Sequence, residues 1–207
     1  MSTPETLARS VLPALLDMTG PRTLVAVAGP PGAGKSTVSK ALHDALQAAG
    51  RSAAVVPMDG FHLDNRLLAE RGLLARKGAP QSFDADGFVA LVQRAAQGGD
   101  LVYPLFDRDR DIAIAGAGFL GADVEFVLFE GNYLLLDQAP WVRLHPLWRM
   151  TLWTDPGLDA LKQRLLHRWL DHGLTEAQAI ARRDRNDLPN AITVRNSSVR
   201  ADVALNT

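Results

Sequence analysis

Apolar positions along the chain change their period in a regular order. Leu7, Val11, Leu12 and Leu15 share one helical face behind Thr3 and Pro4, which predicts a helix from Pro4 with Thr3 as N-cap and proline in its first turn. Thr23 to Ala28 is then a short apolar run between Pro21 and Gly29, the pattern of a strand buried on both faces. Val38, Ala41, Leu42, Ala45, Leu46 and Ala49 return to helical spacing and stop at Gly50. Ser52 to Pro57 predicts a second strand, and Asp84 to Gln97 a helix with Gly98 behind it. Leu101 to Phe106, Val124 to Phe129, Trp148 to Trp153 and Asp202 to Leu205 read as further strands.

Strands alternating with helices predict an α/β fold, a mostly parallel sheet with helices on both faces. Asp107 to Gly118 departs from that rhythm: a cluster of charges followed by IAIAGAG reads as a hairpin or flap. Asp155 to Asn190 is mostly helical and polar, and is expected to pack partly outside the main sheet. No internal repeat or low-complexity tract interrupts the chain, so residues 1–207 are expected to form a single domain.

Composition narrows the function classes. Residues of the AVILMFWYC class make up 47% and charged residues 22%, ordinary for a soluble globular protein with a sizeable core. With 22 Lys+Arg against 23 Asp+Glu the formal charge is -1, which supplies no global basic field and argues against a nucleic-acid partner. Cysteine is absent, excluding a disulfide scaffold, cysteine-based metal sites and a cysteine nucleophile. Glu5 stands where a signal peptide needs positive charge, and the longest charge-free runs, 23–33 and 112–122, fall well short of the roughly 18 residues a membrane span requires. The expectation is a cytoplasmic protein without a membrane partner, in which self-association is left open.

Gly29-Pro30-Pro31-Gly32-Ala33-Gly34-Lys35-Ser36 fits the phosphate-loop pattern GxxxxGK[ST], placed between a buried strand and an amphipathic helix. Gly29, Gly32, Ala33 and Gly34 let the backbone curl so that successive N–H groups converge on one anion, joined by those of Lys35, Ser36 and Thr37 at the positive end of the helix. Lys35 would reach the β- and γ-phosphates, and Ser36 would offer a hydroxyl to Mg²⁺. A second metal-facing oxygen is expected from Glu130, at the end of the apolar strand FVLFEG. That strand carries one acid and no second one to activate water, and no N-K-x-D follows the loop. The single D-x-x-G after the loop, Asp84 to Gly87, opens a helix. Hydrolysis and GTP switching are thereby disfavoured, and phosphoryl transfer to another acceptor is favoured.

Asp59, in MDGFH at the C-terminal end of the second strand, is placed to accept a proton from an attacking hydroxyl, with His62 beside it. Tyr103, Asp107 and Arg108, in YPLFDRDRD, are candidates for a substrate rim. Arg164 and Arg168 are four residues apart on one helix flank. The stretch from Lys162 to Arg185 holds six basic residues against three acids, which suits arginines closing over a transferring phosphoryl group.

Taken together, GPPGAGKST, MDGFHLDN, RKGAPQSFD, YPLFDRDRD, FEGNYLLLD and RNDLPNA resemble the P-loop small-molecule kinases that include uridine kinase, phosphoribulokinase and bacterial pantothenate kinase. Within that group they are most similar to bacterial proteins described as fructose transport system kinases. The resemblance implies a three-layer P-loop NTPase fold with a small helical lid at about 156–190. It implies ATP- and Mg²⁺-dependent phosphorylation of a hydroxyl on a small molecule, leaning towards a carbohydrate. In that pattern Asp59 matches the catalytic acid, Arg164 and Arg168 the lid arginines, and Asn190 with nearby C-terminal residues borders adenine. Gly60-Phe61-His62 stands where uridine kinases carry a Ser-Phe-Tyr type sequence, and Leu166 to Trp169 lacks their arginine density. A uridine or pantothenate-type kinase, and a non-catalytic ATP-binding regulator of a transport system, remain as alternatives.

Overall fold

The computed structural model describes residues 2–207. The chain runs α1 (Pro4–Leu16), β1 (Thr23–Ala28), α2 (Lys35–Ala48), β2 (Ala53–Pro57), α3 (Asn65–Glu70) and α4 (Ala85–Gln97). It continues through β3 (Leu101–Asp107), β4 (Ile112–Leu120), β5 (Phe126–Gly131), β6 (Met150–Thr154), α5 (Leu158–Asp171), α6 (Glu176–Arg182), α7 (Leu188–Ser197) and β7 (Val203–Leu205).

Five strands form one sheet in the order β2-β5-β1-β6-β7, every pairing parallel. The central strand β1 is buried along its whole length, because both faces are covered. Its alternate residues feed two apolar clusters. Val25 and Val27 pack with Phe126, Leu128 and Leu152 under α1 and α2, while Ala26 and Ala28 face Val127, Phe129, Trp141 and Phe88 and Val92 of α4. Helix, sheet and helix make three layers of an α/β fold. Helices α1 and α4 start where side-chain chemistry predicts: Thr3 Oγ1 accepts from the Thr6 N–H at 3.3 Å, and Asp84 accepts from the Gly87 N–H at 2.9 Å. The D-x-x-G sequence is therefore a helix cap.

Leu101 to Phe106, expected as one more strand of the alternating series, belongs instead to a separate antiparallel ribbon with β4, from Leu101 opposite Leu120 to Asp107 opposite Ile112. The hairpin expected at 107–118 is thus the tip and second arm of a longer one. Its register shifts between Tyr103 and Leu105, at Pro104, which has no N–H to give the ladder. The ribbon rests on the tight turn Met58–Phe61 that follows β2. Gly60 makes this possible: a Cβ there would overlap the Pro104 carbonyl. Gly60→Ala is therefore expected to lower stability by about 1–3 kcal/mol, measured as a fall in Tm, and an unchanged Tm would show that the ribbon gives way freely.

The polar C-terminal third is helical, as expected. Leu161, Leu165 and Ala191 form a small cluster of their own with Ala33, distinct from the two sheet clusters. Among the described residues no helix is long and apolar enough to cross a membrane.

Candidate active site

Parallel register sets the site. Glu130 of β5 lies level with Val27 on β1 and Pro57 on β2, so the C-terminal ends of three adjacent strands deliver the glycine loop, Glu130 and the Asp59 turn to one edge of the sheet. In the loop, Gly32 and Gly34 sit at φ 79° and 82°, where a side chain would be strained. Gly29 serves packing, since a Cβ there would overlap Thr154 of β6. Ala33 is buried beneath the loop. Helix α2 starts behind Gly34 without a side-chain cap, which leaves its first N–H groups to a ligand.

Gly32, Gly34, Lys35, Ser36 and Thr37 line one wall of a cavity of about 360 Å³. Asp59, Arg108, Glu130, Asn132 and Arg168 line the other side. Lys35 is largely buried, with Nζ donating to the Pro30 carbonyl at 2.9 Å. Burial pulls its pKa down to about 8, against the opposing pull of the Glu130 and Asp59 charges.

Ser36 donates to Glu130 Oε1 at 3.0 Å, while Glu130 Oε2 is buried with no hydrogen-bond partner. Burial raises the Glu130 pKa, only partly offset by the Ser36 bond and the Lys35 charge. A hydroxyl beside an orphaned carboxylate oxygen fits a divalent cation. Among the described residues there is no cluster of three or more His, Cys, Asp or Glu that could hold one alone, so a cation here would take its remaining oxygens from phosphates and water. Glu130→Gln is expected to raise the Mg²⁺ concentration needed for half-maximal activity by about 10–100-fold. A titration that superimposes on that of the parent would take Glu130 out of metal binding.

Across the cavity, the Asp59 carboxylate meets Arg108 Nη2 at 2.8 Å. Both groups are partly exposed, so the pair contributes little to stability and mainly sets where the carboxylate sits. His62 donates from Nδ1 to the Asp59 carbonyl at 2.8 Å, with its ring 4.0 Å from that of Phe83 and 4.7 Å from that of Phe106. Burial holds the imidazole pKa below its usual value, and with Nδ1 donating, Nε2 is left as an acceptor.

A second cavity of about 540 Å³ adjoins the first, with His62, Lys77, Phe83, Phe106 and Trp169 on its walls. The two share Pro31, Asp59, Arg108, Asn132 and Arg168, which form a waist between them.

Three expected site residues, Tyr103, Asp107 and Arg164, line neither cavity, and a fourth, Asn190, lines only the second. Tyr103 is 7% exposed, packs against Gly118 and donates to the Val55 carbonyl at 3.4 Å, so the ribbon's inner face takes it into the core and away from both cavities. Asp107 accepts from the Arg110 N–H at 2.9 Å and from Arg110 Nε at 2.7 Å, which closes the ribbon's tip, and it lines neither cavity. Arg164 approaches the Gly32 carbonyl at 3.5 Å and lines neither cavity, whereas Arg168 reaches the waist. Asn190, 3% exposed and accepting from Arg76 at 3.1 Å, borders the second cavity. The C-terminal residue lies closer to the glycine loop, where Thr207 Oγ1 donates to the Ala33 carbonyl at 2.8 Å. Thr207 also joins Trp153, Asp155, Gly157 and Arg195 around a further cavity of about 730 Å³.

Sequence reasoning missed Asn132, Lys77 and Trp169 as lining residues. Asn132 carries no spacing signature. Lys77 is 9% exposed and is tied to Asn65 at 2.7 Å and to the Asp111 carboxylate at 2.9 Å, partners that no local pattern announces.

Known proteins share this architecture. The family model of the methylmalonyl-CoA mutase-associated GTPase MeaB matches residues 1–62, the stretch from α1 through the glycine loop to the Asp59 turn. "Putative uridine kinase C227.14" of Schizosaccharomyces pombe is 34% identical over 89% of this chain and 83% of its own length. A pantothenate kinase of Streptococcus pneumoniae is 30% identical over 71% of this chain, which spans about half of that enzyme. Among solved structures, the "putative fructose transport system kinase" of Silicibacter sp. TM1040 superimposes with a TM-score of 0.92 at 47% identity, covering 99% of this chain and 100% of that one.

Proposed function

Because the chain belongs to the P-loop small-molecule kinases of the uridine kinase and pantothenate kinase group, we propose that it transfers the γ-phosphoryl group of ATP to a hydroxyl of a small molecule, with carbohydrate-like polyols as the acceptor class. The observation that carries this reading is the waist: Asp59 faces the glycine loop where the two cavities meet.

In this reading the N–H groups of Gly32, Gly34, Ser36 and Thr37 hold the phosphates in the first cavity, and Lys35 turns from the Pro30 carbonyl to the β- and γ-oxygens. Ser36 and Glu130 would hold Mg²⁺, which when bound offsets charge between those oxygens. The acceptor enters the second cavity. Its hydroxyl displaces Arg108 from Asp59 and gives its proton to the Asp59 carboxylate. The hydroxyl oxygen bonds to the γ-phosphorus as the bond to the ADP oxygen breaks. Arg168, at the waist, stabilises the charge on the moving phosphoryl group, and Arg164 steadies the loop through the Gly32 carbonyl. His62 fixes the Asp59 backbone and offers Nε2 to a hydroxyl of the acceptor.

Incubation with ATP, Mg²⁺ and a panel of sugars, sugar acids, sugar phosphates, nucleosides and pantothenate, read by product mass, tests the reading. A product 80 mass units heavier than its acceptor supports it. ATP binding without any such product would make the chain a nucleotide-binding regulator.

A further inference from the structure

Charged residues on the second cavity do not balance. Lys77, Arg108, Arg168 and Arg182 face three acids, Asp59, Asp111 and Asp187. Three cations are matched: Arg108 to Asp59 at 2.8 Å, Lys77 to Asp111 at 2.9 Å, and Arg168 to Asp187 at 3.7 Å. Arg182 has no acid. Its guanidinium lies 5.1 Å from the centre of the Trp169 ring, which also carries Arg168 at 4.8 Å. Asp187, which lines the same cavity, accepts from the Trp169 indole N–H and pairs with Arg168. Two guanidinium groups thus rest on one indole, and only that of Arg168 is matched by an acid.

We infer that the acceptor carries a negatively charged group, a carboxylate or a phosphate ester, and that Arg182 binds it. The assignment of this cavity to the acceptor rests on the kinase reading. A cation held against an aromatic ring in a half-enclosed cavity keeps its donors in a fixed fork, the geometry that grips two oxygens of a carboxylate or phosphate. Arg182 lines the second cavity and not the first, which in the kinase reading places it on the acceptor's side. A neutral sugar fits less well. Its hydroxyls need acceptors, and of the three acids Asp111 and Asp187 are already committed to Lys77, Asn65, Trp169 and Arg168. Neutral polyols would leave Arg182 unmatched and find Asp59 as the one releasable carboxylate.

Matched pairs test this on the full chain: glycerol against glycerate, fructose against fructose 6-phosphate, pantothenol against pantothenate. Binding is followed by calorimetry with Mg²⁺ and a non-hydrolysable ATP analogue, and transfer by product mass with ATP. A charged member is expected to bind and react at least about 10-fold better than its neutral twin. Arg182→Gln is expected to erase that preference by raising KM for the charged acceptor, leaving kcat and the KM for ATP close to the parent's. The carboxylate and phosphate pairs show which anion the site takes. Equal use of neutral twins, no binding by any charged member, or an unchanged KM in Arg182→Gln would each overturn the inference. Arg182-dependent binding of a charged member without transfer would leave the anion site standing and remove the kinase reading.

Discussion

Asp59→Asn is expected to bind nucleotide as the parent does and to turn over about 10²–10⁴ times more slowly. Asparagine keeps the shape of the side chain and can still accept from Arg108, so the turn Met58–Phe61 and its bond to His62 persist. What it lacks is a site for the proton of the attacking hydroxyl. Asp107→Asn is the matched control, because that carboxylate is held by Arg110 at the ribbon's tip outside both cavities. Steady-state rates for the two variants, with calorimetry for the ATP analogue, decide the point. A kcat for Asp59→Asn equal to the parent's would remove Asp59 from proton transfer, and an equal loss in both variants would assign the effect to the ribbon.

Lys35→Met should separate catalysis from stability. Removing the charge that meets the β- and γ-phosphates is expected to lower turnover by about 10²–10³. The nucleotide-free fold should nevertheless gain. Lys35 titrates near pH 8 when folded and at its ordinary, higher value when unfolded, so at neutral pH folding confines an ammonium that burial disfavours. Between those two values the unfolded chain binds more protons, and the parent grows more stable as pH rises from about 8 to 10. Methionine fills similar space without charge. It should stabilise the empty protein at pH 7 by up to about 3 kcal/mol and flatten that pH-dependent rise. Urea melts at pH 7 and pH 10 measure both effects, and a variant less stable than the parent without nucleotide would refute the burial argument. Added ATP analogue should reverse the ranking, since the parent alone gains the full binding energy.

Local chemistry made much of this legible. The run TLVAVA, the loop glycines and the α2 stripe each obey one short-range rule, and β1 and α2 stand where those rules put them. Asp59 and Glu130 were findable because strand ends in parallel sheets meet at one edge. The burial of Tyr103 and the bond that holds Asn190 are not legible in the sequence, because their surroundings come from distant chain. Tyr103 is covered by Gly118 across the ribbon, and Asn190 is fixed by Arg76, 114 positions earlier. Asp107 illustrates the reverse case: its partner Arg110 is only three residues away, so the pair that takes it from the substrate rim is a local one. The divergence of Arg164 and Arg168 follows from helix geometry, since four residues turn slightly more than once and a loop crossing the helix meets the two differently.

The place of β1 in the sheet bears on synthesis. Its partners are β5, about a hundred residues later, and β6, later still. As the chain leaves the ribosome at about 5–20 residues per second, β1 waits for seconds with both hydrogen-bonding edges open and no charge along its length. TLVAVA thus keeps an unpaired, uncharged edge until residue 131 has emerged, which exposes the central strand to misassembly on the nascent chain.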